Sequence, residues 1–294
     1  MSNSKTINVI KASGDNALFD ESKIVRSLQK AGASDQEISK ILKEVHAFIY
    51  DGISTKEIYK KAYSFLKKSL PSNAARYKLK MALFELGPTG YPFEKLIGEL
   101  MHRQGYKTKI GAILKGLCVN HEVDVVASKG DTHFLVECKF HAEQSRICNV
   151  KVPLYINSRF DDIQKQMRKD SKDLSQLHQG WIVTNTRFSD DAMQYGRCIG
   201  LKLISWDYPR NNSLKVQIDE NGLYPITCLS TITVAEKQKL LAKDKILCRD
   251  ILKQPETLNN IGINSKTRQS NILKELRELC NTHHSNNKPI QHGK

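Results

Sequence analysis

Asn120 to His141 reads NHEVDVVASKGDTHFLVECKFH, and the rest of the chain is arranged around it. Two runs rich in Val and Phe, Val123–Ala127 and His133–Phe140, flank Ser128-Lys129-Gly130-Asp131, a turn-forming group, so the local pattern predicts a β-hairpin. Its charges are placed unusually. Asp124 stands in the first strand, while Glu137 and Lys139 stand two apart in the second and so project from one face of the sheet. Phe134, Leu135, Val136, Cys138 and Phe140 make that second strand a buried one, and buried charges are rare unless paired or metal-bound. A carboxylate from each strand with an ammonium at that spacing could hold a divalent metal and orient a water beside a phosphate, as metal-assisted phosphodiester hydrolysis requires, and Mg²⁺ suits such oxygen ligands. The competing reading of the same three residues is a salt-bridged, solvent-exposed hairpin.

The hairpin is flanked in order by matching elements. Tyr91 to Tyr106, YPFEKLIGELMHRQGY, carries Phe93, Leu96, Ile97, Leu100 and Met101 on one helical face and stops at Gly105. Downstream, Gly180–Ser189, a helix through Ala192 and Tyr195, and Gly200–Trp206 read as strand, helix, strand. The pattern Asp124-x12-Glu137-Cys138-Lys139 resembles the catalytic core of the PD-(D/E)XK nuclease superfamily, and FEKLIGELMHRQGY is similar to the opening of Mrr-type restriction endonucleases. The resemblance implies an α/β restriction-endonuclease-like core with a mixed central sheet, acting as a Mg²⁺- or Mn²⁺-dependent endodeoxyribonuclease on DNA. It implies metal ligation by Asp124 and Glu137, a catalytic Lys139, and a helix carboxylate for which Glu94 is preferred over Glu99. Glu122 stands as an auxiliary acid or a surface charge. His121 and His141 bracket the hairpin as polar strand-end residues. Gln164 and Gln166 follow Asp161-Asp162 in a helix whose facing the sequence leaves open.

Composition agrees with a polyanionic partner. The 294 residues carry a net charge of +15, and the pI is near 9.4, which favours phosphate binding through counterion release. The excess is spread: residues 1–90 hold 15 basic and 9 acidic side chains, residues 91–210 hold 18 and 14, and residues 211–294 hold 13 and 8. Hydrophobic content of 39% supports packed cores. No apolar run approaches the ~18 to 20 residues that span a bilayer, and Met1–Lys5 lacks the apolar segment of a signal peptide. A cytoplasmic protein without membrane association is expected. Seven cysteines without a C-x-x-C pair suggest reduced thiols rather than zinc or disulfides, with Cys138 on the opposite sheet face from Glu137 and Lys139.

The N-terminal part starts with strand-like alternation over residues 5–17, turns at Ser13-Gly14-Asp15, and continues through Asp20, an expected N-cap, into about four helices ending near Leu86. Val9-Ile10-Lys11-x-x-Gly14, Phe19-Asp20-x-x-Lys23-Ile24, Tyr50-Asp51-Gly52-Ile53-x-Thr55-x-x-Ile58 and Ala75-Arg76-Tyr77 together resemble an ATP-cone, the nucleotide-binding module of ribonucleotide reductases and their repressor. The resemblance implies an α+β unit that binds ATP or dATP as effector through Val9, Lys11, Lys23 and Thr55. Where the family carries Lys-Arg before its turn, this chain reads Lys11-Ala12, so an arginine able to clamp phosphate is missing. A retained scaffold that no longer binds nucleotide is the competing reading.

Gly and Pro concentrate at Leu86–Pro92, dividing residues 1–87 from a nuclease-like domain at 88–212. Residues 213–280 read as short helices, with Leu258–Ile263 and Asn271–Leu279 resembling a helix-hairpin-helix that offers backbone amides to DNA phosphate; a small packing bundle is the competing reading. Residues 281–294 read as a disordered tail. Two functions follow: a metal-dependent, nucleotide-regulated endonuclease acting as a dimer or higher homo-oligomer, or a nucleotide-responsive DNA-binding regulator that does not cleave.

Overall fold

A computed structural model describes residues 7–69, 71–130, 132–170 and 177–281; Asp131, residues 5–6 and most of the expected tail lie outside them. The chain opens with a hairpin of β1 (Asn8–Ile10) and β2 (Asn16–Leu18), then α1 (Glu21–Lys30) and α2 (Asp35–Phe48). A two-residue strand, β3 (Ile53–Ser54), leads into α3 (Thr55–Ser69) and α4 (Pro71–Phe84). Asp20 caps α1 by accepting from the Ser22 amide, and Ser34 with Glu37 forms a capping box on α2, each satisfying amides that a helix start leaves open. β3 pairs parallel to β1 through Val9↔Ile53, converting the expected hairpin into a three-stranded sheet. Leu28, Ile41, Val45, Ile53, Ala62 and Leu66 fill its core. This is the α+β architecture the first 86 residues imply.

The next domain contains α5 (Tyr91–Arg103), β4 (Lys107–Lys115), β5 (Asn120–Lys129), β6 (Thr132–Lys139), β7 (Ile147–Cys148), α6 (Lys151–Asp170), β8 (Leu177–Thr184), β9 (Arg187–Phe188), α7 (Asp190–Cys198) and β10 (Lys202–Ile204). Five strands line up as β10-β8-β6-β5-β4. β4–β5 and β5–β6 are antiparallel, whereas β6–β8 and β8–β10 are parallel, so the sheet is mixed. Both faces are covered, which explains the near-continuous apolar run of β6. On one side α5 packs Phe93, Leu96 and Met101 against Val125, Val136 and Trp181. On the other, α6 packs Ile156, Phe160 and Ile163 against Val123, Leu135 and Ile182.

Helices α8 (Leu214–Asn221), α9 (Val234–Ala242), α10 (Cys248–Lys253) and α11 (Lys266–Cys280) follow, with 3-10 turns at Ile226–Cys228 and Pro255–Ile261. Their apolar residues Ile226, Leu240, Leu258 and Leu276 belong to the same core as α5 and the α5-side face of the sheet. So do Ala75, Leu79, Leu83 and Leu86 of α4 and its end. The Thr227 hydroxyl donates to the Ala82 carbonyl at 2.7 Å, and Lys78 and Lys237 both donate to the Thr227 carbonyl, at 3.1 and 2.9 Å. Thus α4, although part of the first sequence pattern, is a shared wall between the N-terminal unit and the rest.

Three local expectations are revised. β4 arises where no element was assigned, because its alternation is obscured by Gly111 and three lysines. α6 begins at Lys151, ten residues before Asp161, since Pro153 in its first turn is compatible with a helix start. Leu258 lies in a 3-10 turn over Pro255–Ile261 that Gly262 caps; the Gly262 amide, at φ 93, bonds the Asn259 carbonyl and the Ile263 amide bonds the Leu258 carbonyl. Those two amides are consumed within the turn rather than offered outward. All seven cysteines are free thiols, and among the described residues no helix is long and apolar enough to cross a membrane.

Candidate active site

The site begins with an irregularity in β5. Its pairing with β4 passes from Ile110↔Val125 to Ala112↔Val123 across Gly111, which sits at φ 62. Val125 enters the α5-side core while Val123 enters the α6-side core. Two valines that strict alternation would put on one face therefore lie on opposite faces, and the strand turns over at Asp124. The register is the same on both sides of this point, and Gly111 reaches its left-handed φ without the steric cost a side chain would bring.

Asp124 accepts the Cys138 amide through Oδ2 at 2.6 Å. Glu137 is 4% exposed; its Oε1 accepts from Lys139 Nζ at 2.6 Å and its Oε2 from Arg159 Nη1 at 2.9 Å. Arg159, on α6, also donates to the Glu122 carbonyl and so ties the helix to both strands. Glu94, in the first turn of α5, folds back over the helix start: a Cβ placed on Gly90 would lie 3.2 Å from Glu94 Oε1. Burial, then the charges of Asp124, Glu122 and Glu137, push the Glu94 carboxyl up to about 7. Burial and Glu137 push Asp124 up to about 6, against the opposing Cys138 amide and the Lys139 and Arg159 charges.

Glu94, Asp124, Glu137 and Lys139 are thus brought together. Glu99 is not; it faces Arg103 at 3.5 Å on its own helix. Glu122 is exposed but close enough to act on Glu94. The Cys138 thiol is buried in the α5-side core, and that burial raises its pKa, as befits a packing thiol. His121 is engaged by Asp162 at 2.8 Å, and His141 by Cys148 Sγ at 3.2 Å. Gln166 is buried and donates to Asp170. Arg159 was missed by sequence reading, because it belongs to the part of α6 that carried no assignment and meets Glu137 22 positions away.

The donor set is carboxylate oxygen, the chemistry hard divalent cations take, and the Glu94 and Asp124 carboxyls are raised by burial first and by neighbouring carboxylates second. Among the described residues no group of three or more His, Cys, Asp or Glu is placed to hold a metal ion; Lys139 and Arg159 hold both oxygens of Glu137. Asp124 and Glu137 supply the carboxylates nearest one another, with Glu94 within electrostatic reach of both.

A second feature is a cleft of about 840 Å³. Val9, Lys11, Lys23 and Thr55, taken from β1, the loop after it, α1 and α3, all line it. Phe19, Ile24 and Ile58 supply an apolar part, and the volume is of the size that takes a small-molecule ligand.

Comparison with known proteins places these features. Residues 7–82 match the ATP cone domain, residues 88–208 a restriction endonuclease family of Mrr type, and residues 224–280 the family described as AF1548-like, C-terminal. An uncharacterized protein of Archaeoglobus fulgidus is 34% identical over 171 residues, which is 58% of this chain and 92% of that protein. The crystal structure of AF1548, a protein of unknown function, is 32% identical, covers 65% of this chain and 98% of its own, and superposes with a TM-score of 0.53. The MspJI restriction endonuclease in complex with a 27-mer oligonucleotide matches at 11% identity and a TM-score of 0.31 over 68% of this chain and 39% of its own, too distant to carry argument. The chain belongs to the family of AF1548-like proteins, and in it an ATP cone precedes a restriction-endonuclease domain of Mrr type.

Proposed function

We propose that this protein is a metal-dependent DNA endonuclease whose activity is modulated by ATP or dATP at the cone. The observation that carries the reading is the convergence of Glu94, Asp124, Glu137 and Lys139 at the point where β5 turns over, inside a restriction-endonuclease domain. Asp124 and Glu137, with Glu94 from α5, would hold Mg²⁺ or Mn²⁺. The metal, when bound, lowers the pKa of its water and neutralises charge on the phosphate. Lys139 is placed two residues from Glu137 to orient that water or to stabilise the developing phosphorane charge. Arg159 orients Glu137. The net charge of +15 draws the DNA backbone toward the protein.

Plasmid and short-duplex DNA incubated with purified protein, with and without Mg²⁺ or Mn²⁺, tests the reading. Metal-dependent cleavage is expected, falling by about 100-fold or more in Asp124→Asn and in Lys139→Ala. Metal-independent cleavage, or equal rates in those variants, removes it. DNA binding without cleavage under all these conditions supports the second function, a nucleotide-responsive regulator, to which the saturation of Glu137 by Lys139 and Arg159 lends weight.

A further inference from the structure

The cleft lined by Val9, Lys11, Lys23 and Thr55 has a second wall, and that wall does not come from the cone. Arg187 of β9, Trp206 and Arg210 of the loop after β10, and Lys215 in the first turn of α8 close its other side. Lys80 of α4 lies over the Trp206 ring at 5.9 Å, joining the two walls. We propose that the nucleotide site is an interdomain one, in which the cone holds the nucleoside and Arg210 and Lys215 of the opposite wall hold the polyphosphate.

The charge balance supports a polyanion. Nine basic side chains line the cleft against two acids, Asp20 and Asp207. Of those acids, Asp20 is committed to capping α1 and Asp207 to Arg187 at 3.0 Å. Cations from both walls act on one another: the Lys80 pKa is lowered by burial first and then by Arg187, with Asp207 opposing, and the Lys215 pKa is lowered by burial first and, less strongly, by Lys30 of α1, with Asp219 opposing. Arg76 Nε is buried with no hydrogen-bond partner among the described residues. An excess of cations lining one cleft favours an anion within it. The arrangement also answers the absence of an arginine at Ala12: the guanidinium donors that the cone's own turn lacks are available from the other wall. A nucleoside triphosphate spanning both walls would bind the cone more tightly to the endonuclease domain, linking nucleotide occupancy to the domain that carries Asp124.

The proposal rests on the cone's being a nucleotide-binding module, and titration calorimetry of the full chain with ATP and with AMP separates the two. For Arg210→Ala and Lys215→Ala, ATP affinity is expected to fall roughly tenfold each while AMP affinity is retained, with Arg210→Lys recovering part of the loss. Melting temperatures matching the unmodified chain certify the fold, and Lys215→Gln replaces Lys215→Ala should that variant fail to fold. If both variants bind ATP normally while Lys23→Ala does not, the cone binds alone and the interdomain site is overturned, though the cone reading stands. Absence of saturable ATP binding to the unmodified chain at millimolar concentration overturns both. Competitive displacement of ATP by a short DNA duplex would assign the cleft to the DNA path and overturn it as well.

Discussion

Arg159 shows how much of this site rests on single side chains. Glu137 is nearly inaccessible to water and its charge is compensated by two cations, each on a different oxygen. Breaking a buried pair costs more than the pair contributes, because the remaining charge is left without its partner. Arg159→Ala should therefore destabilise the protein by about 2 kcal/mol, less than a complete loss because Lys139 stays. Chemical denaturation measures this, and an unchanged midpoint would show that Lys139 alone compensates Glu137. Cleavage should fall in the same variant, since a loosened Glu137 no longer presents its oxygens in place. Glu94→Gln separates the two effects: it removes a carboxyl pushed up to about 7 by burial and by its acidic neighbours, so activity should drop without loss of stability.

At the level of elements, the junction of α4 with the C-terminal helices is unusual in directing two lysines at one carbonyl. Lys237 is 6% exposed and, with burial first and Lys78 next among the causes, its pKa is lowered from 10.5 to about 8. Its sign is opposite to that of a salt-bridged lysine. Below pH 8 both folded and unfolded states are protonated, and the folded state bears the full cost of the buried charge. Between about pH 8 and 10.5 the unfolded chain binds the extra proton, so this group's contribution rises with pH. Lys237→Met should accordingly stabilise the protein at pH 7, by about 1–2 kcal/mol, and the advantage should shrink by pH 9.5. Urea midpoints of the two proteins at both pH values provide the comparison; a difference independent of pH would mean Lys237 keeps its ordinary titration. β4 supplies a second lesson at this level. It is an edge of the five-stranded sheet and carries exposed Lys107, Lys109 and Lys115, charges that discourage another strand from adding there.

For the whole molecule, the consequential fact is that α4 shares one apolar core with α5, the sheet and the C-terminal helices. The link from Leu86 to Tyr91 is short, and the core on either side of it is continuous, so the cone is not free to swing as an independent module. A change at the cleft must then be felt as a change in the shared wall or in how copies of the chain associate. On the proposed reading, with one metal site per copy cutting one strand, double-strand cleavage calls for two copies. Sedimentation with ADP, ATP and dATP, run beside a nicking assay, is expected to show a nucleotide-dependent shift in association together with a changed ratio of nicked to linear plasmid. Identical sedimentation and identical product ratios in all three nucleotides would leave the cone without a regulatory part.

The sequence by itself determined the elements whose information is local: the hairpin carrying Asp124, Glu137 and Lys139, the amphipathic α5 with Glu94, the Asp20 cap, and the spaced motifs that mark a cone and an endonuclease domain. Periodicity, capping and turn chemistry act over a few residues, so one strand of text suffices to read them. Only the tertiary structure decided the rest. β5 turns over at Asp124, opposite Gly111 of a partner strand; Arg159 reaches Glu137 from a helix 22 residues away; Glu94 rather than Glu99 joins the acids because of which face α5 buries; and Arg187, Arg210 and Lys215 close a cleft opened by residues more than 130 positions earlier. These are contacts between segments with no fixed separation in sequence, set by which apolar faces must be buried together, and no local pattern encodes them.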